Sequence, residues 1–548
     1  VALCVSTSTA AFGAAPVATD DLLLVAAGSS VTTDYLLAND SDPDGDVLTL
    51  TSTTEPQHGV LAAGVEGALT YTPADGYTGD DSFSYDVSDG QTTASATVTI
   101  SVNAPFDPEA ARDALLAGVD SLADPTQPGR MVAWGPTAYS VTNYPGEDER
   151  DPMVTAATMG AGRVIAMPDH QWANMDSHGS DPSTGTFYLN AVAWLTETSS
   201  TSIKVVTLNA GAASWLPSQG FTNVVETDAS GLSAELADAE LLVTWLGSNP
   251  SQELLDTVVS FTKGGGALLL CDYGPGYQWW WNKEGPDIPG NRALRHAGIA
   301  FTGEWPMSGV QTINRASDQV TDDDVVAVYE DPAAFTTAEA DRAAVVFTRI
   351  NDSLPTGDTL KARLAQVFES KLDSLVPTPE APVTGSLDKA ILNQEGQLLQ
   401  DVPVDEMTAH RAALPVDPEA PRIATTVTLV EPDSGHAKLV IDTGLYAAPG
   451  EVIDVTVPEA LAGLGLQIQI GHLRTDTGDA EYFVMPYQQL VFEVDAATLQ
   501  VASPHGGLLM FVAPADVEWT GDQQVQVDGA VEAPYFVLGE HTDADWID

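Results

Sequence analysis

The spacing of apolar residues changes twice along this chain, and no single layer architecture satisfies all three regimes. Between positions 47 and 102 apolar and polar residues alternate in VLTLT (47–51), ALTYTP (68–73), SFSYDV (82–87) and SATVTISV (95–102), with Gly, Asp and Pro between the runs. A period of two turns one face of each run inward, as strands covered on one side require. Residues 129–274 carry short continuous apolar runs instead: GRMVAWG (129–135), GRVIAMP (162–168), SIKVVTLN (202–209), AELLVTWLG (239–247) and ALLLCDYG (267–274). Helical stretches such as NPSQELLDTVVSFTKGGG (249–266) separate them, which predicts a parallel sheet covered by helices. Alternation returns in ATTVTLV (424–430), EVIDVTV (451–457), LQIQIG (466–471), QLVFEV (489–494), GLLMFVA (507–513) and QVQVDGAV (524–531). Two Pro-rich breaks, VPTPEAPVTG (376–385) and LPVDPEAPR (414–422), flank a small helical segment. The expected fold class is multidomain: a β-sandwich over 16–104, an α/β parallel-sheet domain over 105–375, a linker over 376–422 and a second β-sandwich over 423–548.

Charge narrows the partners. Asp and Glu number 78 against 20 Lys and Arg, a net charge of −58, and a field of that sign repels nucleic acid and anionic lipid. No apolar run reaches the ~18 residues of a membrane span. Residues 1–15 open on an apolar run, Val1 to Ala11, which reads as the remnant of a secretory signal and predicts a secreted or bacterial cell-surface protein. The two cysteines, Cys4 and Cys271, lie in unlike contexts and predict no disulfide framework.

Within the first domain, NDSDPDGD places Asp40, Asp42 and Asp44 at alternate positions, with Gly45 to turn the chain and Asp46 after it. Hard cations take six to eight oxygens, and alternate carboxylates on a bent loop supply several, so Ca²⁺ is the expected cofactor. A solvated acidic turn is the plainer reading. An EF-hand is excluded, because Thr51 stands where the bidentate Glu is needed. Asp80 and Asp81 form a second acidic turn.

Other chemistry is thinner. Cys271 ends an apolar run, but LLLCDYG lacks the Gly two places earlier that a tight nucleophile turn uses, and no His is followed two residues later by Glu. A buried structural thiol is expected. DHQWANMDSH brings Asp169, His170, Asp176 and His178 together in sequence, without a spacing that fixes metal geometry. GYQWWWN (276–282) reads either as a sugar-stacking platform or as a partly buried helix start.

Three resemblances follow. APVATDD (15–21), NDSDPDGD (39–46) and YTPADGYTGDDSFSYDVSDG (71–90) resemble the cadherin-like tandem repeats of bacterial surface proteins, and that resemblance implies Asp21, Asp42, Asp44 and Asp81 as calcium ligands. FTKGGGALLLCDYGPGYQWWW and IPGNRALRHAGIAFTG resemble the α/β domain upstream of the catalytic unit in enhancin-like zinc metallopeptidases, a module also found in animal TRP-channel-associated factors. It is similar to an amidotransferase without its triad. TGLYAAPGEVIDVTVPE (443–459), LQIQIGHLRTD (466–476), VASPHGGLLMF (501–511) and GAVEAPYFVLGE (529–540) resemble the β-domain that opens the peptidase region of that family, M-sixty. There zinc is held by H-E-x-x-H on a later helix, and none of the nine histidines here begins that motif. The expectation is the non-catalytic amino-terminal portion of a secreted enhancin-like peptidase acting on glycoproteins such as mucins, with Zn²⁺ confined to a downstream catalytic domain. The alternative is a complete, calcium-dependent adhesin or glycan-binding protein.

Overall fold

A computed structural model divides the chain into two compact units, residues 1–366 and 367–548. It describes residues 14–64, 68–123, 129–144, 152–281, 283–304, 311–312, 320–355, 357–372, 375, 382–398, 404–407, 420–432, 438–471, 489–514 and 517–533. The apolar start, most of the 376–422 linker and the end of the last quoted motif lie outside the described residues.

Alternation in the first domain produces seven strands: β1 (Asp21–Ala26), β2 (Val31–Thr33), β3 (Thr49–Thr53), β4 (Gly59–Ala63), β5 (Leu69–Pro73), β6 (Gly79–Ser88) and β7 (Thr93–Asn103). They form two sheets, β1-β7-β6-β3 and β2-β5-β4, and β1 runs parallel to β7. Leu23, Val25, Tyr71, Phe83, Tyr85, Val98 and Ile100 meet in the core. An Ig-like domain opens the chain.

This domain does not hang on a free linker. Asn103 Nδ2 donates to the His296 carbonyl at 3.0 Å, while its Oδ1 accepts from the Gly160 amide at 2.8 Å. Lys263 Nζ pairs with Asp80 at 2.7 Å, and Thr359 Oγ1 donates to Asp21 at 2.6 Å.

The second domain holds β8 (Ala138–Asn143), β9 (Pro152–Met159), β10 (Gly162–Met167), β11 (Lys204–Thr207), β12 (Asn223–Glu226), β13 (Leu241–Thr244) and β14 (Ala267–Cys271). Their order is β8-β9-β10-β14-β13-β11-β12, antiparallel across the first three and parallel across the rest. The continuous apolar runs are explained by burial on both faces. Leu269 and Cys271 of β14 join a core with the helices Pro182–Thr196 and Ala210–Ser218, whereas Leu268 and Leu270 join one with Leu232–Leu236 and Gln252–Lys263. Side-chain caps start the longer helices: Asp181 accepts from the Thr184 amide at 2.8 Å, with Pro182 following, and Ser251 accepts from Leu254 at 3.2 Å. The chain steps from β11 outward to β12 and then returns to β13 on the other side, so the crossover direction reverses between β11 and β13.

The last domain differs from expectation. Strands β15 (Arg422–Leu429), β16 (Lys438–Ala447), β17 (Ile453–Thr456), β18 (Gln467–Ile470), β19 (Leu490–Glu493), β20 (Thr498–Val501), β21 (Gly507–Pro514) and β22 (Gln523–Glu532) form one antiparallel sheet rather than two. Its order is β19-β18-β21-β16-β22-β17-β20, with β15 also on β22. A register shift between Asp442 and Leu445 bends β16, which pairs with β21 along its length and reaches the end of β22 through Leu445 and Tyr446. The sheet therefore curls, barrel-like, around Ile453, Ile468, Leu509, Phe511 and Val527.

Candidate functional site

Parallel sheets present their ligand sites beyond the carboxyl ends of the strands, where the crossover direction reverses. Here that edge gathers Asp169 and His170 after β10, Asn209 after β11, Trp245 after β13, and Asp272 and Tyr273 after β14. The helix Gly274–Trp281 follows at once. Asn209 Oδ1 accepts from the Trp245 amide at 3.0 Å, tying together the strand ends on either side of the reversal.

Aromatic rings close a circuit across this edge. His170 lies 4.9 Å from Trp245 and 5.6 Å from Tyr273; Tyr273 lies 5.5 Å from Trp280. Trp280 meets Trp281 at 6.0 Å, and Trp281 meets Tyr277 at 5.2 Å. Trp245 Nε1 then donates to the Tyr277 hydroxyl at 3.1 Å, and that hydroxyl donates to the Gly247 carbonyl at 2.9 Å. Gly276 permits the packing, because a Cβ there would stand 2.2 Å from the Tyr273 ring.

The carboxylates beneath the rings are buried. Asp272 accepts from the Tyr273 and Gly290 amides at 2.9 and 2.8 Å. Burial pushes its carboxyl up to about 6, opposed by those bonds, by Tyr277 and by nearby His170. Asp169 Oδ1 accepts from the Gln171 amide and lies 3.1 Å from His170 Nδ1, and its Oδ2 has no hydrogen-bond partner. Cys271 is fully buried, and burial beside Asp169 and Asp272 pushes its thiol well above the ordinary range. A protonated, enclosed thiol is a poor nucleophile. The edge leaves Trp280 and Trp281 partly exposed and buries Asp169, Cys271 and Asp272.

The sequence motif DHQWANMDSH is pulled apart. Asp169 caps a short turn, His170 enters the aromatic circuit, and His178 sits against Trp172 at 5.6 Å. Among the described residues, no three His, Cys, Asp or Glu side chains are arranged to hold a metal ion.

In the first domain, Asp21 and Asp40 come together around Tyr85, whose hydroxyl donates to Asp40 at 3.0 Å. Asn39, absent from the sequence expectation, joins them, and its Nδ2 donates to the Gly357 carbonyl at 3.0 Å. Buried Asp21 Oδ2 and Asn39 Oδ1 lack hydrogen-bond partners. Burial pushes the Asp21 carboxyl up to about 7, against the hydrogen bond from Thr359. Asp42 Oδ1 accepts the amides of Asp44 and Asp46 and shapes the turn, and its Oδ2 is another unpartnered buried oxygen. Asp81 is already engaged: the amides of Gln57, His58 and Ser82 and the Tyr71 hydroxyl all donate to it.

With this geometry in view, comparisons with known proteins place the three regions. Residues 14–101 match the family model of a bacterial Ig domain, and 84–316 match TCAF_N, described as the TRPM8 N-terminal domain. Residues 419–528 match the N-terminal domain of M60-like peptidases. That last region is thus similar to the opening domain of M60-like peptidases. Curated relatives include a TRPM8 channel-associated factor homolog of Danio rerio, 24% identical over 470 residues, which cover 79% of this chain and 47% of that protein. TRPM8 channel-associated factor 1 of Homo sapiens is 25% identical over 481 residues, with 79% and 47% covered. The chain thus spans about half the length of the curated relatives it matches. Among solved structures, IMPa from Pseudomonas aeruginosa in complex with an O-glycopeptide aligns at 16% identity and a TM-score of 0.38, covering 80% of this chain and 56% of that one.

Sequence reasoning passed over Trp245 and Tyr273 as site residues. The available signal was positional: Trp245 and Tyr273 lie within two residues of a parallel strand's carboxyl end.

Proposed function

We propose that this chain is the non-catalytic part of an enhancin-like zinc metallopeptidase acting on glycoproteins such as mucins, and that its domains attach and position that enzyme. The observation carrying this reading is the match of residues 419–528 to the domain that opens M60-like peptidases. None of the nine histidines begins the H-E-x-x-H motif, so the zinc site of this reading lies in a separate catalytic domain. The α/β domain, read as amidotransferase-like, serves as scaffold and binding surface, in keeping with the buried Cys271 thiol. A secreted or cell-surface setting fits the net charge of −58 and the bacterial Ig match. Calcium in the first domain is part of the proposal: Asp21, Asp40 and Asn39 would hold it, and the unpartnered oxygens of Asp21 and Asn39 suit a hard cation. Asp42, Asp44 and Asp46 would order the adjoining turn, whereas Asp81 has no free oxygen to offer.

The curated relatives, named as channel-associated factors, favour a second reading, a non-catalytic binding protein. Sequencing the gene beyond codon 548 separates the two. An H-E-x-x-H motif within the following couple of hundred codons is expected; an immediate stop codon would overturn the peptidase reading.

A further inference from the structure

We infer that the aromatic circuit at the carboxyl edge of the α/β sheet is a binding site for a neutral saccharide, with the indoles of Trp280 and Trp281 as its stacking faces. Most large aromatic side chains of this domain are buried, yet Trp280 is 52% and Trp281 41% exposed. Their planes stand at 86° with centroids 6.0 Å apart, so the two rings form a corner rather than a flat patch. A pyranose ring fits such a corner, laying its C–H face on one indole and an edge against the other while its hydroxyls stay in water. The corner is held from behind. Buried Tyr273 and Tyr277 back the two indoles, and the Tyr277 hydroxyl is fixed between Trp245 and Gly247. A preformed aromatic surface loses little freedom on binding.

Size and charge choose the occupant. Among the described residues, the other exposed large apolar side chains of the first unit, Val17, Val47, Val60, Leu189 and Val345, lie outside this helix, so among them the two rings do not extend into a patch of protein-interface size. A net charge of −58, with Asp169 and Asp272 beneath the rings, disfavours sialylated or sulfated sugars. The inference rests on the glycoprotein reading above for the natural source of the sugar. Its test uses free sugars and needs no cleavage.

The full chain is titrated with N-acetylgalactosamine, galactose, lactose and sialyllactose while tryptophan fluorescence and saturation transfer to the sugar are recorded. At least one neutral sugar is expected to give a saturable change, and lactose should bind more tightly than its sialylated counterpart. Trp280→Ala and Trp281→Ala should each abolish the change without moving the melting temperature, and Trp280→Phe should restore part of it. The site is refuted if no neutral sugar saturates, or if both alanine variants bind as the parent does. Self-association of the chain that either alanine variant abolishes would assign the corner to a second copy and overturn the proposal. Sugar binding with no peptidase motif downstream would leave the site standing and remove only the enzyme reading.

Discussion

Burial turns Asp21 from a surface acid into a pH-responsive group. Its carboxyl stands near 7 in the folded chain, against an ordinary value of ~3.9 when unfolded. Between those values the folded chain keeps a proton that the unfolded chain has lost, so stability rises as pH falls through that window. Asp272, raised to about 6 by burial, acts in the same direction. In chelator, the urea midpoint is therefore expected to rise between pH 7.5 and 5.5, and Asp21→Asn should flatten that rise. A midpoint that falls over this range would reject the assignment. Calcium should act on the same group: ligand at ~100 times its dissociation constant adds roughly 2.7 kcal/mol by mass action. The parent should melt higher in millimolar calcium at pH 7.5, whereas Asp21→Asn should lose most of that gain. Cys271 is inert by comparison. Cys271→Ala should cost on the order of 1 kcal/mol, and rapid stoichiometric labelling of the folded chain by a mild thiol reagent would contradict its burial. The run LLLC made this thiol legible as core. The partnership of Asp21 with Thr359, 338 residues away, had no local signal.

Elements whose pattern is local were read most directly. Alternation marks β6 and β7, and unbroken apolar runs mark β10, β13 and β14 as buried on both faces. The fate of the last sheet was less legible, because a bend in one strand decides whether it splits or curls. Gly444, at a φ of 68°, takes the left-handed conformation at that bend. WWW was ambiguous for a related reason: successive helical residues point about 100° apart, so tertiary packing decides which rings reach solvent. Glycines in MGAGRV and KGGG have a plainer cause. A Cβ on Gly162 would stand 2.1 Å from the Thr262 carbonyl and 2.3 Å from that of Gly266, where a helix end lies on the β9–β10 turn. Gly162→Ala should therefore cost roughly 1–3 kcal/mol, read as a lower urea midpoint. A change within ~0.5 kcal/mol, the ordinary scatter of surface substitutions, would show that the contact is slack.

Across the first unit, the Ig-like and α/β domains share a seam that no linker composition announced. Asn103 fills two hydrogen-bonding roles across it, and Asn103→Ala leaves the Gly160 amide and the His296 carbonyl without that partner. Each unsatisfied buried group costs about 1–3 kcal/mol. Calorimetry of the whole chain should show these two domains melting in one transition, which Asn103→Ala lowers or splits; separate melting of the parent domains would mean that the seam is loose. A joined pair of domains would suit the proposed role of presenting an enzyme to a large substrate without chemistry of its own. That claim is tested most directly by exposing the purified chain to a surface-bound, desialylated mucin-type glycoprotein and to the same protein stripped of its O-glycans, with zinc present. Retention on the glycosylated form, weak retention on the stripped form and an intact glycoprotein afterwards are the predicted result; equal retention on both, or chelator-sensitive cleavage by this chain alone, would contradict it.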